Sequence, residues 1–142
     1  MRVLFVPAAL ALAVSAMLSP SASAQPVDRE IRITATNAGK LTYRDQDGKP
    51  ADKRQTKRND RVVWRCCTLP AGETRVAFDV SFAVKTPFPD VGNSNNHTAT
   101  ITKQVRSDAD FDTYKYAVAI VTRDAKGNIR LYLDDPEILV EP

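Results

Sequence analysis

Arg75-Val76-Ala77-Phe78-Asp79-Val80-Ser81-Phe82-Ala83-Val84 alternates a large apolar side chain with a small or polar one along its whole length. Successive side chains of a β-strand point to opposite faces, so a period of two marks a half-buried strand. Val76, Phe78, Val80, Phe82 and Val84 then share one face, which is expected to look into a core. Removing each such side chain from water contributes roughly 1.5–3 kcal/mol, so this strand is expected to anchor the fold.

The same period recurs on both sides of it. Residues 113–122 form a second long run, with Tyr114, Tyr116, Val118 and Ile120 on one face. Residues 30–35, 41–43, 61–65, 98–105, 129–133 and 137–140 read as shorter strands. Turn-forming residues separate them: Asn37-Ala38-Gly39-Lys40, Asp47-Gly48-Lys49-Pro50 and Asp124-Ala125-Lys126-Gly127-Asn128. Residues 51–59, 87–97 and 107–112 read as loops. No helical periodicity is sustained. Short strands at this spacing predict an all-β fold, a single Greek-key β-sandwich.

The first 24 residues have the composition of a secretory signal. Arg2 supplies a positive charge, residues 3–18 are almost wholly apolar, and Ala22-Ser23-Ala24 is a small-residue cleavage site. The apolar run is shorter than the roughly 20 residues a spanning helix needs, so no transmembrane anchor is expected. The expected domains are therefore a signal peptide at 1–24 and one β-sandwich at 25–142, secreted or periplasmic. Losing Arg2 leaves 19 basic against 17 acidic residues, a net charge of +2. So small a charge gives no global field for nucleic acid, and no nucleic-acid partner is expected.

The charge is unevenly spread. Residues 40–65 carry nine basic and four acidic side chains, and Lys53, Arg54, Lys57 and Arg58 are the densest part. They read as a solvated loop, with a weak anion patch as the functional alternative. The aromatics that nucleic-acid binding would interleave with such a run are absent between Lys49 and Arg61.

The only cysteines, Cys66 and Cys67, are adjacent. Their Cα atoms lie ~3.8 Å apart across a trans peptide, closer than in most bridged pairs. The first expectation is two thiols, one buried and one facing out; a vicinal disulfide or a crosslink between molecules is the alternative.

The order of motifs from residue 59 to 140 resembles the cupredoxin family of plastocyanin-like sandwiches. Asn59-Asp60-Arg61-Val62-Val63-Trp64 is similar to the family's Gly-Asp-x-Val-x-Trp strand, with Asn59 in place of glycine. The run 75–82 resembles the strand that follows the family's first copper histidine. Tyr114-Lys115-Tyr116-Ala117-Val118 resembles the one that delivers the copper cysteine. Asp135-Pro136-Glu137-Ile138-Leu139-Val140 resembles the closing strand of copper-free relatives. An immunoglobulin-like sandwich is the alternative fold. The two differ in strand pairing, because a cupredoxin-like sandwich pairs some strands in parallel.

The resemblance implies a domain without its copper. A type 1 site needs two imidazoles, a thiolate and usually a methionine. Beyond residue 24 there is one histidine, His97, and no methionine, and Val118 and Ala119 stand where the ligand cysteine would fall. No cofactor is therefore expected. Cys66, Cys67 and His97 together form an alternative soft-metal site for Cu(I) or Zn(II), as in a metallochaperone.

Other chemistry finds little support. No Gly-x-Ser-x-Gly elbow accompanies His97, and Asp108-x-Asp110-x-Asp112 lacks the glycine and glutamate of a calcium loop. No catalytic residue is assigned and no enzyme activity is expected. The sequence thus predicts an exported binding or interaction module, its partner a protein or envelope component.

Overall fold

The computed structural model describes residues 25–89 and 98–142. The expected signal peptide and His97 lie outside the described residues. The fold is all-β, with ten strands in chain order: β1 (Asp28–Ala35), β2 (Leu41–Arg44), β3 (Lys53–Lys57), β4 (Arg61–Thr68), β5 (Glu73–Ser81), β6 (Thr100–Gln104), β7 (Thr113–Lys115), β8 (Ala117–Asp124), β9 (Ile129–Asp134) and β10 (Glu137–Glu141). No helix among the described residues is long and apolar enough to cross a membrane.

Three sheets result, ordered β2-β1-β4-β6, β3-β10-β7 and β5-β8-β9. Two neighbouring pairs run parallel, β1 with β4 and β3 with β10, and the others are antiparallel. All three sheets give side chains to one core. It holds Ile31, Ile33, Trp64, Phe78, Val80, Tyr114, Tyr116, Val118, Ile120, Tyr132, Ile138 and Val140, among others. This is the layered burial a β-sandwich requires. At its centre Trp64 meets Phe88 and Tyr116 edge-on, with ring centres 5.6 and 5.7 Å apart. Phe82 closes the cluster at 5.4 Å from Phe88 and 5.3 Å from Tyr116. Each such pair adds about 0.5–1.5 kcal/mol beyond its buried area.

The anchor strand differs from its expected pattern at both ends. Phe78, Val80 and Phe82 are buried, but Val76 is 43% exposed and Val84 95%. The register explains Val76. Arg75 pairs with Thr122 and Ala77 with Val121, so β5 carries one extra residue there, a β-bulge that turns the side chain outward. Val84 lies beyond the end of β5 at Ser81.

Two further expectations are corrected. Residues 51–59 are not simply a loop, because Lys53–Lys57 is strand β3, hydrogen-bonded parallel to β10 from Lys53 opposite Glu137 to Lys57 opposite Glu141. The run 113–122 is not one strand. It breaks at Tyr116, whose N–H donates to the Pro136 carbonyl (3.1 Å). Before the break β7 pairs with β10, and after it β8 pairs with β5 and β9. Tyr114, Tyr116, Val118 and Ile120 stay buried across this change of sheet.

Around the start of β4 the backbone is held by one carboxylate. Asp60 accepts hydrogen bonds from the N–H groups of Val27 (3.2 Å) and Lys57 (3.1 Å) and from Nε of Arg29 (2.8 Å), joining three strands. Asn59 beside it has φ of 69°, the left-handed region that glycine adopts most readily.

Candidate functional site

The basic residues of β3 do not converge. Alternation sends Lys53, Gln55 and Lys57 outward and turns Arg54 and Thr56 inward. Arg54 lies against Asp45 (3.3 Å) and Gln46 (3.2 Å). Backbone N–H groups of Lys49 and Asp47, with Arg54 nearby, hold the Asp45 carboxyl below its usual range. Arg58 donates to the Ala109 carbonyl (2.7 Å) and lies over the Phe111 ring, 4.0 Å from its centre. Two of the four candidate anion ligands thus hold loops in place. Of the others, Lys53 sits 3.6 Å from the Glu137 carboxylate.

The cysteines are placed differently from the first expectation. Cys66 and Cys67 are bonded to each other across a cis peptide, and both are half-buried against the core. They form a bulge in β4. The partner strand advances from Arg32 to Thr34 while β4 advances from Arg65 to Thr68. A disulfide sulfur is not a thiolate, so neither can ligate a metal in this state. Among the described residues no three Cys, His, Asp or Glu side chains gather as a metal site.

A cleft of about 620 Å³ opens between β2, the β9–β10 turn, and the starts of β3 and β10. Three of its charges answer each other, since Lys53 and Lys115 flank Glu137 at 3.6 and 3.9 Å, while Arg44, Asp52, Asp134 and Asp135 also line it. The Tyr43 hydroxyl is buried behind it without a hydrogen-bond partner among the described residues. Burial, with the Asp134 carboxylate nearby, holds that hydroxyl far above the ordinary phenol value.

The most unusual surface belongs to β9. The hairpin loop before it fixes which way it faces. Asp124 accepts from the N–H groups of Lys126 and Asn128 (both 2.8 Å), and its own N–H donates to the Asn128 carbonyl (3.0 Å). These bonds hold the Asp124 carboxyl below its usual range, the Asn128 side chain being the largest influence. With Asp124 facing Asn128, the register places Tyr132 opposite Ile120 on the inner face. Tyr132 is fully buried there, and its O–H donates to Glu73 (2.8 Å). Glu73 also accepts from the Thr122 hydroxyl (2.7 Å) and from Arg130 (2.8 Å). Those donors, the Thr122 hydroxyl first, hold its carboxyl below the usual range.

Once Tyr132 points inward, the residues on either side must point out. Ile129 and Leu131 are 56% exposed and Leu133 65%. The outward rows continue across the sheet as Leu131, Val121 and Ala77, and as Leu133, Ala119 and Asp79. Beside the first row lies the bulged Val76. The row of Ile129 continues instead to Arg123 and Thr74. The result is an outer face on β5-β8-β9 that is apolar around Leu131 and Leu133 and ends at strand β9, which is a sheet edge. Isolated exposed apolar residues are ordinary, but a contiguous set is characteristic of a contact surface.

Sequence reasoning missed this face. The alternation of Ile129-Arg130-Leu131-Tyr132-Leu133 was visible, but an apolar set is ordinarily assigned to the core. The available signal was the Asp124–Asn128 loop, whose register makes Tyr132 the inward residue. The chain matches no protein-family model, and no curated protein is significantly similar to it.

Proposed function

We propose that the protein is an exported, copper-free, cupredoxin-like domain that acts as an interaction module through the outer face of β5-β8-β9. The fold supports the family reading in two ways. Two strand pairs run parallel, the feature expected of a cupredoxin-like sandwich and not of an immunoglobulin-like one. Asn59 adopts a positive φ where the family's motif carries glycine.

The observation that carries the functional reading is the outward set Ile129, Leu131 and Leu133 on a strand with one free edge. Leaving three large apolar side chains in water forgoes several kcal/mol of burial, which a contact partner would recover. A soft-metal carrier using Cys66, Cys67 and His97 is the weaker reading, because the two sulfurs are joined.

The reading is tested with Nile red, an uncharged dye that fluoresces on apolar surfaces, at protein concentrations low enough to keep the chain monomeric. The folded protein is expected to enhance its emission, and Leu131→Thr with Leu133→Thr to remove most of the enhancement at unchanged near-ultraviolet circular dichroism. Equal emission from both proteins would reject the outer face as a binding surface. Titrating the reduced protein with Cu(I) is expected to leave its melting temperature unchanged; a one-equivalent rise lost in Cys66→Ser/Cys67→Ser would favour the metal carrier instead.

A further inference from the structure

We infer that the occupant of the β9 edge is a second copy of this chain, paired antiparallel across a two-fold axis. The inference rests on the reading of this face as an interaction surface and adds who the partner is. Three observations lead to it.

The first is the backbone. Asp124 and Asn128 exchange a hydrogen bond at the closed end of the hairpin, so the pairing residues of β9 that face β8 are the even-numbered ones. The N–H and C=O groups of Ile129, Leu131 and Leu133 therefore point away from β8, along the open edge. The same residues that expose apolar side chains present backbone groups unpaired among the described residues.

The second is light protection. Edge strands are ordinarily blunted by lysine, proline, a bulge or inward-pointing charges. β9 has no lysine, proline or bulge and its register with β8 is unbroken; its inward charges, Arg130 and Asp134, are opposite in sign.

The third is charge complementarity in one register. Placing Tyr132 opposite its own counterpart on the two-fold axis sets Leu131 against Leu133 of the other copy. The same register sets Arg130 against Asp134, and symmetry makes each contact twice. The odd residues then form the hydrogen-bonded pairs, as their backbone direction requires. Leu131 and Leu133 meet on the outer face, where directly opposite side chains lie ~5 Å apart. Opposite charges meet on the inner one, although Arg130 already reaches Glu73 and Asp134 lies near Tyr43. A net charge of +2 without the expected signal peptide opposes self-association only weakly. The product is one sheet, β5-β8-β9 continued by β9-β8-β5 of the second copy. An edge contact of this size is at the small end of specific interfaces, so the dimer should be weak and dependent on concentration.

Sedimentation equilibrium of the purified protein over a wide concentration range tests this. The average mass is expected to rise from one chain towards two. Asp134→Arg puts Arg130 against an arginine, and Arg130→Asp puts Asp134 against an aspartate; each alone is expected to weaken association at least about tenfold. Mixing the two variants restores both opposite-charge pairs and should recover the dimer as a heterodimer. Because Arg130→Asp also removes a contact to Glu73 and can unfold the chain, Leu131→Pro provides a second test. It removes an outward N–H at an edge position where proline is tolerated, and should give a folded monomer. A wild-type protein that stays monomeric overturns the inference, as does a dimer indifferent to both Asp134→Arg and Leu131→Pro. If the chain is monomeric while Nile red still reports the outer face, that face serves a different partner. If the dye also ignores Leu131 and Leu133, the interaction reading falls with the dimer.

Discussion

Strands β3 and β9 are both sheet edges, and they are built in opposite ways. β3 presents Lys53, Gln55 and Lys57 to solvent and keeps Thr56 inside. β9 presents Ile129, Leu131 and Leu133 and keeps Tyr132 inside. A second chain adding itself to β3 would have to bring its backbone alongside two lysines, which blunts the edge. Adding itself to β9, it would bury leucines and isoleucine. One edge is closed to partners by charge, and the other is left open with an apolar face beside it. The charge on Lys53 and Lys57 thus protects the β3 edge.

The largest test of this contrast separates the two faces of β9. Tyr132→Ala is expected to cost about 3–5 kcal/mol in urea denaturation, since it empties a core site. Leu133→Ala should stay within about 0.5 kcal/mol for the monomer. Similar costs for the two would mean that the outer face is already packed against something. Next in size, Leu131→Lys with Leu133→Lys gives β9 the character of β3. It should abolish any rise of mass with concentration in sedimentation, with little change in the melting temperature of the dilute protein.

A smaller effect concerns the clip that keeps Tyr132 inward. The Glu73 carboxyl is held below its unfolded value of 4.5 by the Thr122 and Tyr132 hydroxyls and by Arg130. A carboxyl with a lowered folded pKa contributes stability above its unfolded pKa and loses it as the pH falls through the folded one. Urea midpoints measured from about pH 6 to about pH 3 should therefore fall on the acid side, and the fall should be shallower in Glu73→Gln. An identical acid limb in the variant would remove Glu73 from the account. Smallest of all is Thr56→Val on β3. Its buried hydroxyl has no hydrogen-bond partner among the described residues, so an apolar group of the same shape should be neutral or stabilising by up to about 1 kcal/mol. A clear loss of stability would show that the hydroxyl is satisfied in solution.

Much of the fold was legible because alternation survives wherever a strand is covered on one face. Phe78, Val80, Val118 and Ile120 were placed correctly by period alone, and they are fully buried. The misreadings share a cause. β3 was hidden because its five residues are polar and owe their strand state to pairing with β10, a partner more than eighty residues away. The break at Tyr116 was hidden because both halves of the run keep their apolar face inward while changing sheets. Val76 escaped the core through a bulge, which a period of two cannot represent. The site was less legible than the fold. Period says that Ile129, Leu131 and Leu133 share a face, but only the Asp124–Asn128 register says that this face is the outer one.

Amide hydrogen exchange along β9, followed as a function of protein concentration, addresses the open edge most directly. The account predicts that the amides of Leu131 and Leu133 exchange rapidly in dilute solution and slow roughly tenfold or more as concentration rises, while those of Arg130 and Tyr132, already bonded to β8, change little. Slow exchange at Leu131 and Leu133 in dilute protein, or rates that ignore concentration, would contradict an edge left open for a second copy.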